Sequence, residues 1–236
     1  MKILDKINLD LKRLSENPKN IKDYSKFHKD GKKHIGIATP SVRKVSLKYF
    51  EEIKNLDKKK IFALCEKLLD TRGSGHQDIA FNWAFRIRKQ YKKEDFKIFE
   101  SWLKNYVNTW GSCDDLCMHA LGEFIYQFKE FLPQTKQWAK SSNKWFRRAF
   151  AVVLIYPLRK GKYLKNAFDV AKILLRDDED LVQKGYGWML KEASNLYPRE
   201  VFDFVMKNKK LMPRTALRYA IEKLPEKMKK EAMTRP

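Results

Sequence analysis

The chain has 236 residues, 43% of them hydrophobic and 13% aromatic, and a formal net charge of +22. That apolar content excludes a disordered polycation, and the length admits one large domain or two small ones. Lys and Arg number 51 against 29 Asp and Glu, which makes nucleic acid the leading partner class through phosphate neutralisation and counterion release. A lysine-rich composition that reflects genome base bias would give the same excess; net charge speaks to partners and not to fold.

Taken in chain order, the first fifteen residues carry Asp5, Lys6, Asp10 and Lys12 and hold no signal-peptide apolar core. His28 to His34 reads as a basic, flexible loop. Breaks then fall near Asp30-Gly31, Pro40, Arg72 to Gly75, Trp110-Gly111, Pro133, Ser141 to Asn143, Pro157 to Gly161, Asp177-Asp178, Pro198 and Pro213. The segments between them have the usual length of globular helices. No alternating apolar run makes a convincing sheet. The longest apolar run, Ala149 to Leu158, is too short to span a bilayer. Three sparse cysteines, Cys65, Cys113 and Cys117, argue against a disulfide scaffold and fit a reducing cytoplasm. The expectation is a cytoplasmic protein with no membrane segment.

Internal repetition decides how such helices are arranged. Phe146-Arg147-Arg148-Ala149-Phe150-Ala151 resembles Val182-Gln183-Lys184-Gly185-Tyr186-Gly187. Arg214-Thr215-Ala216-Leu217-Arg218-Tyr219-Ala220 is a looser echo, and His76-Gln77-Asp78-Ile79-Ala80-Phe81 an earlier one. The shared pattern is an apolar residue, a basic or polar pair, a small residue that permits close helix packing, then an aromatic. The offset of 36 residues between Phe146 and Val182 predicts an all-α fold, a HEAT-like helical-repeat superhelix (α-solenoid) with a concave basic surface. With no boundary in view, it forms a single domain over residues 1–236.

Three helices hold candidate chemistry. In a helix starting at Trp110, Trp110, Asp114, Cys117 and Leu121 line one face, and Asp114 and Asp115 lie near the start. There the helix N-terminus would keep a carboxylate ionised, as suits stabilisation of a developing cation; equally, both acids could be plain helix-start residues. Asn143 is a good N-cap for the next helix. Its core stripe is Phe146, Ala149 or Phe150, and Val153, with Trp145, Arg148 and Val152 alongside. Arg148 there either reaches a phosphate with its fork or snorkels to solvent past a core Trp145. The helix Glu179 to Asn195 buries Val182, Tyr186, Met189 and Ala193 and sets Lys184, Trp188 and Lys191 on a neighbouring face. That face suits backbone phosphates and a sugar or base, or is a half-buried Trp beside solvated lysines. Cys113, Cys117 and His119 give only three potential ligands with His119 off the cysteine face, so no metal site is assigned. No Walker motif or nucleophile elbow is present.

These residues carry a resemblance. Tyr24, Gly36-Ile37-Ala38-Thr39-Pro40-Ser41-Val42-Arg43, Trp110 with Asp114, Ser142-Asn143-Lys144-Trp145-Phe146-Arg147-Arg148 and Val182-Gln183-Lys184-Gly185-Tyr186-Gly187-Trp188 stand in the order and spacing of the bacterial DNA alkylation repair glycosylases of the AlkD type. The match covers nearly the whole chain. The resemblance implies hydrolysis of the N-glycosidic bond of N3- and N7-alkylated purines in duplex DNA by a monofunctional glycosylase of base excision repair, a monomer with no cofactor. It places the catalytic aspartate at Asp114, the flanking active-site tryptophans at Trp110 and Trp188, and a DNA-contacting arginine at Arg148. Lys184, Lys191, Arg147, Arg214, Arg218 and Tyr24 are the further residues expected on the DNA. The family often has a second tryptophan or an acid after the first; here Gly111 stands there. Asp115 offers a competing register, but Trp110, Cys113 and Asp114 align without a gap. Two other classes fit the basic helical pattern: a non-catalytic repeat protein that recognises damaged or branched DNA, and a protein-interaction scaffold.

Overall fold

In the computed structural model, which describes residues 2–25 and 35–234, the chain is helical apart from one short hairpin. The stretch His28 to His34 lies outside the described residues. The chain forms two compact units, Met1–Tyr91 and Lys92–Pro236. No helix among the described residues is long and apolar enough to cross a membrane.

The first unit contains α1 (Ile3–Glu16), β1 (Ile21–Asp23), β2 (Ile35–Ile37), α2 (Thr39–Ile53), α3 (Lys58–Asp70) and α4 (Ser74–Arg86). The two strands pair antiparallel with Lys22 opposite Gly36. No alternating pattern announces them, because three-residue strands are too short to show alternation. Val42, Tyr49, Ile61, Cys65, Leu68 and Phe81 form the core. Trp83 joins them fully buried and satisfies its indole N–H on the Ser46 carbonyl at 2.9 Å.

The second unit contains α5 (Asp95–Tyr106), α6 (Trp110–Met118), α7 (Ala120–Gln127), α8 (Leu132–Thr135), α9 (Lys144–Val152), α10 (Ile155–Arg159), α11 (Leu164–Leu174), α12 (Asp180–Ser194), α13 (Pro198–Asn208), α14 (Arg214–Ala220) and α15 (Glu226–Met233). One end of its core is aromatic. Phe96 stacks on Trp138 with centroids 6.2 Å apart, and the Trp138 indole N–H reaches Glu100 at 2.7 Å. Further along, Phe150, Val182, Tyr186 and Met189 are buried.

The repeat seen in the sequence is the spacing of one helix series. Helices α2, α4, α6, α9, α12 and α14 begin at residues 39, 74, 110, 144, 180 and 214. Phe146, Val182 and His76 are each the third residue of their helix, whereas Arg214 opens α14, so the looser echo is offset by two. Within the second unit α9 packs against both α6 and α12, and α12 packs against α14. The small residues make these contacts close. A Cβ on Gly187 would lie 2.7 Å from the Tyr219 Cβ and 2.8 Å from the Ala216 carbonyl oxygen. Alanine is the better helix former, but here it would push α12 off α14. Gly187→Ala is therefore expected to cost about 1–3 kcal/mol, read as a lowered urea midpoint.

Two helix boundaries bear on the site. Glu179 and Asn195 flank α12 as predicted, and Val182, Tyr186, Met189 and Ala193 are all fully buried. The helix from Trp110, by contrast, ends at Met118, and His119 breaks it with φ −117° and ψ −92°. Leu121 thus belongs to α7 and not to the face of Trp110 and Asp114.

Candidate active site

The start of α6 is fixed by a reciprocal cap. Thr109 Oγ1 accepts from the Ser112 backbone N–H at 3.1 Å, and Ser112 Oγ accepts from the Thr109 N–H at 3.2 Å. Trp110 is the first helical residue and Asp114 the fifth. Asp114 thus stands in the second turn, beyond the reach of the helix N-terminal dipole, and the sequence expectation on that point is corrected. Asn143 caps α9 as predicted, its side chain accepting from the Trp145 N–H at 2.9 Å.

With these caps, Asp114, Arg148 and Lys184 are each the fifth residue of their helix, as are Arg43, Asp78 and Arg218 in α2, α4 and α14. Between α6 and α9 this row brings opposite charges together. Arg148 donates to Asp114 through Nε at 2.9 Å and Nη2 at 2.8 Å, one bond to each carboxylate oxygen. Its Nη1 donates to the Leu181 carbonyl. Arg148 is only 5% exposed, so it neither snorkels to solvent nor stands at the stripe's outer edge. Its place exists because position 185 is glycine: a Cβ there would lie 3.2 Å from Arg148 Cγ.

Burial and mutual attraction compete at both ends of this pair. At Asp114 burial outweighs the pull of Arg148 and, helped by the nearby Asp115, raises the carboxyl above its ordinary value. At Arg148 burial works against the charge, but attraction to Asp114 outweighs it and holds the guanidinium above its ordinary value. These balances point opposite ways for the ion pair. The geometry decides: two donors within 2.9 Å of two oxygens describe a charged, bidentate pair. Asp115 turns elsewhere, its Oδ1 3.1 Å from His119 Nδ1. Asp114 is therefore the acid that meets Arg148.

The other predicted residues divide. Trp110 and Trp188 are half-buried, Trp110 one turn before Asp114, and Trp188 three residues after Gly185 on the α12 face that receives Arg148. Trp188 donates its indole N–H to Glu192 at 2.9 Å, and Glu192 also accepts from Arg159 Nε at 2.9 Å. Burial acts to raise the Glu192 carboxyl, but these two donors hold it below the usual range. Lys184 pairs with Asp180 at 2.7 Å and Lys191 with Glu222 at 2.8 Å. Arg147 is a staple, bound to Asp177 at 2.7 Å and to the Ser141 and Ser142 carbonyls at 2.9 and 3.2 Å. Arg214 and Arg218 are exposed on α14. Tyr24 belongs to the first unit, its ring against Gly36. Cys113 and Cys117 are fully buried, and among the described residues no three His, Cys, Asp or Glu groups are placed to hold a metal ion.

Sequence reasoning passed over Glu192, Arg159 and the seat at Gly185. Glu192 was within reach, since an acid four residues after Trp188 shares its helical face. Arg159 comes from a separate helix, and nothing local marks its partner.

The arrangement is a carboxylate fixed by an internal arginine, with one large aromatic on its own helix and a second on the helix that receives the arginine. A family model described as DNA alkylation repair enzyme matches residues 7–224. The fold is similar to that of a predicted DNA alkylation repair enzyme from Enterococcus faecalis (TM-score 0.71, 20% identity, 81% of this chain and 88% of that one). It is also similar to AlkD2 from Streptococcus mutans (TM-score 0.63, 20% identity, 94% and 99%). No curated protein matches the chain. The family match spans both compact units and both tryptophans of the site, and the chain belongs to the DNA alkylation repair enzyme family.

Proposed function

We propose that the protein is a monofunctional DNA glycosylase that releases N3- and N7-alkylated purines from duplex DNA by hydrolysing the N-glycosidic bond. The observation that carries this reading is Asp114, a mostly buried carboxylate held by both donors of the Arg148 fork, with Trp110 one turn away.

An N3- or N7-alkylpurine bears a formal positive charge and leaves readily. As the C1′–N bond breaks, its electron pair passes to the purine and cancels that charge. The sugar becomes oxocarbenium-like, and the protein's task is to stabilise positive charge at C1′ and to admit water there. Arg148 uses one lone pair on each Asp114 oxygen, and each oxygen keeps another for the sugar or for water. Water adds to C1′ and passes its proton by way of the Asp114 carboxylate to solvent, leaving an abasic site. Trp110 and Trp188 would pack against the deoxyribose. Glu192 would set the indole plane of Trp188. In this reading Arg148 serves first to orient Asp114, and phosphate contact falls to lysines and arginines such as Lys184, Lys191, Arg214 and Arg218, the first two exchanging an internal acid for phosphate.

The test is release of base from duplex DNA carrying 7-methylguanine, resolved by chromatography. Salt-sensitive binding without release would leave a non-catalytic DNA-binding protein in place of a glycosylase. The reading also fixes a pH response. The active carboxyl must be ionised, and burial raises it above the ordinary aspartate value of 3.8. Activity is therefore expected to fall on acidification, with the acid limb of kcat/KM lying above that value. The same acid limb persisting in Asp114→Asn would assign it to another group.

A further inference from the structure

A second charged cluster lies wholly in the first unit. Arg86 is the last residue of α4. Its Nε donates to Asn82 Oδ1 at 2.9 Å, and the same oxygen accepts the Ser46 hydroxyl at 2.8 Å. The guanidinium carbon sits 5.3 Å from the centre of the Phe50 ring on α2. Arg86 is half-buried and fixed on two sides. Among the described residues, its two terminal nitrogens make no hydrogen bond and no carboxylate pairs with it.

The surroundings make this cation costly. Burial, and then the charges of Arg43 and Arg88, pull Arg86 below the ordinary arginine value. Glu51 opposes them in part, but it is itself paired with Lys54 at 2.5 Å. A guanidinium oriented by a hydrogen-bonded amide, stacked on an aromatic ring and crowded by like charges is built for an anion from outside. An anion supplies the missing attraction, and the unbonded pair of terminal nitrogens matches the fork geometry of a phosphate.

We propose that Arg86 is a phosphodiester-binding residue, a DNA-backbone contact carried by the first unit, with Arg43 and Arg88 strengthening the local positive field. The inference rests on the reading that this protein acts on DNA, and it adds a site for grip that takes no part in the chemistry. One phosphate neutralised by Arg86 adds about 0.9 to the slope of log K against log salt concentration.

The experiment measures duplex binding by fluorescence anisotropy over a range of salt, beside single-turnover base release at saturating protein. For Arg86→Gln the expected result is affinity lower by about tenfold, a salt slope smaller by about one, and an unchanged rate of release once saturated. Arg86→Lys should keep the slope while losing part of the affinity, because it restores the charge without the fork. A thermal melt checks each variant, and Arg88→Gln, which should weaken binding less, stands in if Arg86→Gln unfolds. If the wild type binds duplex DNA and Arg86→Gln binds with the same affinity and slope, the Arg86 assignment is wrong while the glycosylase reading stands. If the wild type neither binds nor releases base, the functional reading fails and this inference with it.

Discussion

Asp114→Asn is expected to slow release of 7-methylguanine by about 100- to 1,000-fold, the usual effect of removing one preorganised electrostatic group from a buried site. Asparagine keeps the shape and one oxygen for Arg148 but leaves the buried guanidinium without its counter-charge, so a urea melt must show the variant folded under the assay conditions. On the proposed mechanism, what it removes is the negative charge that stabilises C1′, needed only as the sugar becomes cationic. The loss should therefore appear in the single-turnover rate at saturating protein, with DNA affinity retained. Asp115→Asn is the comparison. Its carboxylate faces His119, so its rate should stay far closer to that of the wild type. Equal losses in the two variants, or none in Asp114→Asn, would remove Asp114 from the chemistry.

Arg148→Met should lower stability by about 3–5 kcal/mol, measured as a shift of the urea midpoint. The side chains of Arg148 and Asp114 are 6% and 14% exposed. Methionine fills much of the arginine's volume but leaves the Asp114 carboxylate buried without its donor. Breaking such a pair from one side is the expensive case, because a lone buried charge costs more than the intact pair contributes. The double variant Asp114→Leu/Arg148→Met should recover most of that loss, since exchanging both charges for apolar groups is often near neutral. The two substitutions would then be strongly non-additive. If Arg148→Met alone were as stable as the wild type, the pair would not hold α6, α9 and α12 together.

Much of α12 was legible because its burial is periodic and local: Val182, Tyr186, Met189 and Ala193 mark one face, and the flanking Glu179 and Asn195 fall at its ends. The cap at Asn143 was equally plain. The end of α6 was not. His119 breaks the helix with no glycine or proline to announce it, and the apolar pattern runs on into α7. The hairpin of Ile21–Asp23 with Ile35–Ile37 was too short to leave a pattern. The burial of Arg148 was hidden for a different reason. Local rules send an arginine beside an apolar stripe to water, and only an acid from another helix makes burial tolerable. That acid lies one repeat earlier, so the repeat held the information that the single helix lacked. Glu192 shows the reverse case, a partner within the same helix that was visible and passed over.

The charges at the fifth helical position imply an unusual pattern of mutational sensitivity. Each side chain in that row is aimed by a short count from a cap: four residues from Trp110 to Asp114, and four from Lys144 to Arg148. One residue inserted inside either count would turn the side chain by roughly 100° about its helix axis and carry the charge off its partner. The same insertion in an exposed connection, such as Lys54 to Leu56 before α3, leaves every count intact. Insertions in the linkers should therefore be tolerated, while a single alanine added within the first turn of α6 or α9 should abolish the ion pair without replacing any residue of the site.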